Sequence, residues 1–194
     1  LATSIMPHSV IMSVMAGVTC TEIRERFALP PNRAVVLRTM PNVYCAHDAG
    51  AMATYLDWDS SAAVPPQVTE LLTSLASSLT LLPLSTEAAL SPATALVGSS
   101  PAFLLLFTES LIAAAVEQGI ARPVARSVVA SLLSGTAKAI SANDDVAVET
   151  IRHSVTSPGG TTAAGLAALE EGGVRAAVAN AIRRTREKAD ELAK

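Results

Sequence analysis

The chain has 194 residues, half of them apolar, 16% charged and 3% aromatic, with a formal charge of −3. At this length about two thirds of the unfolded surface is buried on folding, enough for one large domain or a domain and part of another. The acidic balance argues against a phosphate-backbone binder, the scarcity of aromatics against a stacking surface for single-stranded nucleic acid, and the apolar content against disorder. A charged share below the roughly 25% of ordinary soluble domains points to apolar surface hidden against another copy of the chain.

Val10 to Met15 is a compact apolar run ending at Gly17, the pattern of a buried parallel strand. No Lys or Arg precedes it, and Gly17-Val18-Thr19-Cys20 is a poor cleavage signal, so it does not read as a secretory leader. Thr21 to Phe27, with Glu22, Arg24, Glu25 and Arg26, reads as a short surface helix. Ala34 to Met40 is a β-branched strand stopped by Pro41, and Ala51 to Leu56 a strand followed by an acidic turn at Asp57 and Asp59. Pro65 and Pro66 open a helix carrying Val68, Leu71, Leu72, Leu75 and Leu79 at helical spacing, and Leu79 to Leu84 returns to a strand. Strands separated by helices indicate an α/β sheet over residues 1–85. Cys20 and Cys45 match no metal or redox pattern, which fits a reducing, cytoplasmic-type compartment.

From residue 86 to 194 only helical patterns follow, over about Glu87–Leu96, Pro101–Gln118, Pro123–Ala142, Val146–Val155, Thr161–Glu171 and Val174–Ala193. The most apolar stretch, Ala102 to Val116, is interrupted by Glu109 and is shorter than the ~20 residues of a membrane span, so it reads as a buried helix with no membrane partner. Burial would raise the pKa of Glu109, which calls for a polar partner at a helix–helix contact. Ser100-Pro101 reads as a helix cap and start, because the hydrolase elbow Gly-x-Ser-x-Gly fails at Ala102. His8, His47 and His153 have no metal-ligand spacing.

The sharpest local signal is Ser157-Pro158-Gly159-Gly160-Thr161-Thr162 ahead of an alanine-leucine helix. Two glycines free the backbone, the helix start aims unpaired N–H groups into the loop, and Ser157, Thr161 and Thr162 add hydroxyls. That combination suits a small anion such as a carboxylate or phosphate, and it equally describes a capped helix after a tight turn.

Several motifs then stand in one order: Ser13-Val14-Met15-Ala16-Gly17-Val18-Thr19, Arg38-Thr39-Met40-Pro41-Asn42, Gly98-Ser99-Ser100-Pro101-Ala102-Phe103, Val155 through Thr162, and Leu169-Glu170 with Gly173-Val174-Arg175-Ala176-Ala177-Val178. Together they cover essentially the whole chain and resemble pyrroline-5-carboxylate reductase, the last enzyme of proline biosynthesis. The resemblance implies the C-terminal part of a doubly wound, Rossmann-type domain followed by an all-helical domain that dimerises and binds substrate. It also implies hydride transfer from NADPH or NADH to a cyclic imine, and a homodimer or larger homo-oligomer. The Ser157, Gly159, Gly160, Thr161 and Thr162 loop would hold the substrate carboxylate, with the Thr162 hydroxyl nearest the imine nitrogen as the catalytic group. Val155 and Thr156 would border the nicotinamide, Ala16 and Gly17 would end a strand beside the cofactor, and Pro41 and Asn42 would shape the neighbouring loop. Asp145 falls near a glutamate that supports the substrate loop in some family members.

This sequence departs from the family in two places. Val43-Tyr44 stands where the family usually continues with Thr-Pro, and no Gly-x-Gly-x-x-Gly occurs. A strand and glycine-rich turn are therefore expected upstream of Leu1, and the chain alone is expected to bind NADPH very weakly. The other reading is a non-catalytic helical dimerisation module that keeps only the anion-binding loop.

Overall fold

The computed structural model describes residues 5, 9–29, 34–58 and 63–192. They divide into two compact units, Leu1–Pro101 with Asn180–Lys194, and Ala102–Ala179.

The first unit is built on a four-stranded sheet of β1 (Ser9–Ser13), β2 (Ala34–Pro41), β3 (Ala51–Asp57) and β4 (Thr80–Pro83), in the order β1-β2-β3-β4. It is mixed: β1 runs parallel to β2, β2 antiparallel to β3, and β3 parallel to β4. The parallel steps carry the helices α1 (Cys20–Arg26) and α2 (Pro66–Ala76). Between β2 and β3 there is only a 3₁₀ turn over Val43–His47, too short for a crossover, so the chain must return antiparallel. Pro41 ends β2 as expected, although as its last paired residue rather than the one after it. It pairs with Met52, and Asn42 beyond it caps the 3₁₀ turn by accepting from Tyr44 N at 3.1 Å. A proline at position 44 would lack that donor, so the Val43-Tyr44 departure supplies its own cap.

Alternation along β2 sends Ala34, Val36, Arg38 and Met40 to one face, and Val35, Leu37 and Thr39 to the other. Near the start of the strand, Ala34 and Val36 pack with Cys20 and Ile23 of α1. Further along, Met40 and Ala53 pack with Leu90, Ala93 and Val97. Arg38 lies between these two clusters on the same face. β1 is less buried than its apolar run suggests: it ends at Ser13, and Met12, Val14 and Met15 are about half exposed. Gly50 is tied down by its neighbours, since a Cβ there would lie 2.4 Å from Cys45 Sγ and 2.5 Å from Cys45 N.

A continuous helical run of 31 residues covers Glu87–Glu117. It begins as a 3₁₀ turn over Glu87–Ala89, continues as α3 (Leu90–Ala93), loosens to a π turn over Thr94–Ser99 and resumes as α4 (Ser100–Glu117). Ser100-Pro101 starts α4 as expected, but directly out of a π turn rather than after a capped loop. The wider π turn leads directly into Pro101, which has no N–H to give an α-type bond, and Ser100 Oγ donates to the Ala95 carbonyl at 3.1 Å.

The second unit holds most of α4 together with α5 (Arg122–Ser141), α6 (Val148–Ser154), α7 (Thr161–Glu171) and the start of α8 (Val174–Leu192). Gly119 at φ +92° and Gly173 at φ +72° make the turns after α4 and α7. Burial here is sparse. Leu104, Leu105, Leu106 and Phe107 of α4, and Val124, Val128 and Leu132 of α5, are exposed. The expectation of a buried helix over Ala102 to Val116 fails within a single chain, and Glu109 is exposed with it. By length and composition the 87–117 run could cross a bilayer, with a window of mean hydropathy 1.6 that is 6% buried.

Candidate functional site

In the first unit a cavity of about 110 Å³ opens where β1 and β2 end, lined by Met15, Ala16, Gly17, Thr19, Arg38, Thr39, Met40, Glu87, Leu90, Ser91, Thr94, Ala189 and Leu192. Gly17 makes the turn after β1 at φ +78°, a conformation that a residue with a Cβ rarely adopts. Buried Ser13 supports this corner: its Oγ accepts from Met15 N at 3.3 Å, and its carbonyl accepts from Thr39 Oγ1 at 3.2 Å.

One wall is an ion pair. Arg38 Nη1 donates to Glu87 Oε1 at 2.7 Å, and the same oxygen accepts from the backbone N–H of Cys20 at 2.7 Å. Cys20 is the first residue of α1, so Glu87 places its charge on an otherwise orphaned donor at the positive end of that helix. Burial acts to raise the Glu87 pKa. The Arg38 guanidinium and the Cys20 N–H and thiol outweigh it, and the net shift is downward. Burial, and then the Glu87 charge, push the Cys20 thiol up to about 12.

In the second unit, Val155 ends α6 exposed to solvent, and Thr156 Oγ1 donates back to the Arg152 carbonyl at 2.7 Å. The loop then turns at Gly159, φ +68°, and is closed by Gly160 N donating to the Ser157 carbonyl at 3.0 Å. A Cβ on Gly160 would meet that carbonyl oxygen at 3.2 Å. Gly160 is the N-cap of α7 and has no side chain to cap with, which leaves the first-turn N–H groups open. Ser157, Thr161 and Thr162 are exposed, and their hydroxyls have no partner among the described residues. A helix start and three free hydroxyls thus stand within one short loop, able to hold an anion.

Residues 87–192 match the family described as pyrroline-5-carboxylate reductase dimerisation. The chain belongs to the pyrroline-5-carboxylate reductase family. Among curated relatives, the putative pyrroline-5-carboxylate reductase 4 of Caenorhabditis elegans is 34% identical over 190 residues, covering 95% of this chain and 64% of the relative. Pyrroline-5-carboxylate reductase 1 of Bacillus subtilis is 31% identical, covering 99% and 62%. A solved pyrroline-5-carboxylate reductase from Coxiella burnetii superposes with a TM-score of 0.84 at 27% identity, over 95% of this chain and 66% of that one. The Plasmodium falciparum pyrroline carboxylate reductase with NADP bound superposes with a TM-score of 0.81 at 25% identity, over 95% and 71%. The chain spans a little under two thirds of the length of the curated relatives named here.

For a member of this reductase family, the expected site residues fall into two groups. Ala16 and Gly17 line the cavity of the first unit, while Pro41 and Asn42 sit just beyond it at the end of β2. Asn42 is committed to structure, its Oδ1 accepting from Tyr44 N and Ala51 N. Val155, Thr156, Ser157, Gly159, Gly160, Thr161 and Thr162 are contiguous in the second unit, and Asp145 is exposed in the turn before α6. Sequence reasoning missed the Arg38, Glu87 and Cys20 joint and the last turn of α8 at the cavity. A charged residue at the centre of an otherwise apolar strand was the available signal for Arg38, because such a residue needs a buried partner.

Proposed function

We propose that the chain carries the imine-reducing chemistry of its family: reduction of 1-pyrroline-5-carboxylate to L-proline with NADPH or NADH, in a homodimer or larger homo-oligomer within a cytoplasmic-type compartment. The Ser157 to Thr162 loop carries the reading, because it gathers open helix-start N–H groups and three exposed hydroxyls within six residues. In this reading the loop grips the substrate carboxylate, and the Thr162 hydroxyl holds the imine nitrogen in its protonated, electrophilic form. Binding then fixes the ring in one orientation, which is most of what such a reaction asks of the protein.

NAD(P)H supplies the hydride when bound. The residues present suit its nicotinamide end, since Gly17 and Ala16 leave room beside the Arg38–Glu87 wall. About 110 Å³ takes a small planar group and not a whole dinucleotide, and no Gly-x-Gly-x-x-Gly is present to cradle a pyrophosphate. Val155 and Thr156 would border the ring, and Pro41 and Asn42 would hold the adjoining loop. A functional division into residues 1–85 and 86–194 is part of the same proposal, supported by the family match that begins at residue 87.

The test is imine-dependent NAD(P)H oxidation by the chain, alone and joined to the reading frame upstream of Leu1. Activity is expected chiefly in the joined protein. In that protein Thr162→Ala should cost up to about 3 kcal/mol of transition-state stabilisation, roughly a hundredfold in rate. Unchanged kinetics would remove the role given to Thr162. A folded, inactive joined protein would leave only a dimerisation module.

A further inference from the structure

We infer that, in the self-associated protein, Arg152 in the groove between α5 and α6 pairs with Glu109 on α4 of a second copy of the chain. The inference rests on the self-association in the reading above and not on its chemistry.

The groove holds about 470 Å³ and is lined by Leu132, Ile140, Val148 and Ile151, with Gly135 and Arg152 among them. Leu132, Ile140 and Val148 are exposed, so the described residues of one chain leave this apolar face uncovered. A Cβ added at Gly135 would meet nothing within 4 Å, and so nothing described in the single chain asks for glycine there. Arg152 brings a charge to the same face. Its Nε is buried and has no hydrogen-bond partner among the described residues, and its Nη2 lies 3.4 Å from His153 Nε2. No carboxylate among the described residues pairs with it. A buried guanidinium donor without an acceptor costs free energy, and the fixed fork of an arginine suits a carboxylate.

A second copy presents the matching group. Glu109 is exposed in the middle of α4, with Leu105 and Leu106 one turn before it and Ile112 and Ala113 one turn after it on the same face. Covering those leucines takes Glu109 out of water with them, and it then needs a donor at the same contact. The other acidic residues of the second unit are placed differently. Glu117 ends α4, Asp144 and Asp145 stand in the turn before α6, and Glu149 is on α6 itself. Glu170 and Glu171 end α7, and Glu170 is already paired with Arg175 at 2.8 Å. Groove and helix both lie within residues 87–192, the stretch that matches the dimerisation family, so they belong to one self-associating region. An apolar groove with one unsatisfied guanidinium and an apolar helix with one carboxylate complement each other in charge as well as in polarity. In a two-fold dimer the contact occurs twice.

Charge reversal in the full chain tests the pairing. Arg152→Glu and Glu109→Arg each set like charges together at both contacts. Each, with native circular dichroism, should weaken self-association at least about tenfold in a sedimentation dilution series. Mixing the two variants should restore association, because in the mixed dimer one contact is the native pair and the other is the same pair reversed. A weakening below about tenfold for either folded variant overturns the inference. Failure of the mixture to associate also overturns it, since a pair formed within one chain is not rescued by mixing. Should either variant lose its native circular dichroism, Gly135→Leu carries the test by filling the groove: association weakened about tenfold in a folded chain supports the seating of α4, and unchanged association overturns it. A native chain that stays monomeric at every concentration removes the self-association reading together with the pair. A native oligomer that these variants do not move removes the pair alone.

Discussion

Replacing Glu87 by alanine tests how the first unit is held together. The side chain makes two contacts at 2.7 Å, one to Arg38 Nη1 and one to Cys20 N. Arg38 is 11% exposed at its side chain and Glu87 28%, so the pair is neither fully wet nor fully dry. Deleting one partner of a fully buried pair costs about 3–5 kcal/mol, mostly because the other charge is stranded. The partial exposure of Glu87 lets water reach the vacated site and reduces that figure. Cys20 is 3% exposed, so its N–H would also lose its acceptor, at about 1–3 kcal/mol. The two losses overlap, because water admitted to one reaches the other, and about 2–3 kcal/mol is expected for Glu87→Ala in urea unfolding at fixed protein concentration. Glu87→Gln keeps an acceptor for Cys20 and should lose about half as much. The carboxyl pKa is held below its ordinary 4.5, so its contribution is complete above that value and is lost as the pH falls through the lower folded value. The gap between wild type and Glu87→Gln should therefore close on acidification. A loss under about 0.5 kcal/mol for Glu87→Ala, or a gap that widens in acid, would refute this account of the joint.

Three further outcomes follow from other parts of the chain. Gly50→Ala should destabilise by about 3 kcal/mol in the same assay, because its methyl would overlap the Cys45 backbone, which cannot swing aside. Iodoacetamide should label Cys45 in the native chain and spare Cys20 until unfolding, since the Cys20 thiol is buried and its pKa is about 12; native labelling of Cys20 would contradict this. Sedimentation velocity should show at least a dimer for the native chain and a shift toward monomer for Leu106→Glu, which sets a charge in the exposed apolar stretch of α4.

Local pattern determined much of the fold. The β-branched run of Ala34 to Met40 and the glycine turn before Thr161 each identified an element whose bounds the structure keeps closely, whereas the helical spacing from Val68 carries to Leu79 and α2 stops earlier, at Ala76. Features that depend on distant partners were not legible. The antiparallel return between β2 and β3 turns on Asn42, whose side chain binds both the 3₁₀ turn and Ala51 N nine residues away. The Arg38–Glu87 bond spans 49 residues and the Cys20–Glu87 bond 67, and no periodicity encodes either. The open start of α7 was legible for the opposite reason, because everything that forms it lies within six consecutive residues, Ser157 to Thr162.

Hydrophobicity identifies a surface that must be covered without saying what covers it. Leu104, Leu105, Leu106 and Phe107 occupy consecutive positions and so point around most of the α4 circumference, which one neighbouring helix cannot shield. A core of its own, a bilayer or another copy of the chain would each satisfy the same string of residues. The described residues of the single chain do not supply the core, because the most apolar window of the 87–117 run is 6% buried among them. The match of residues 87–192 to a dimerisation family favours the copy, since interlocking helices from two chains can enclose a helix on all sides. Glu109 sharpens the point: an acidic side chain among leucines is costly against lipid, whereas at a protein–protein contact it can find a donor.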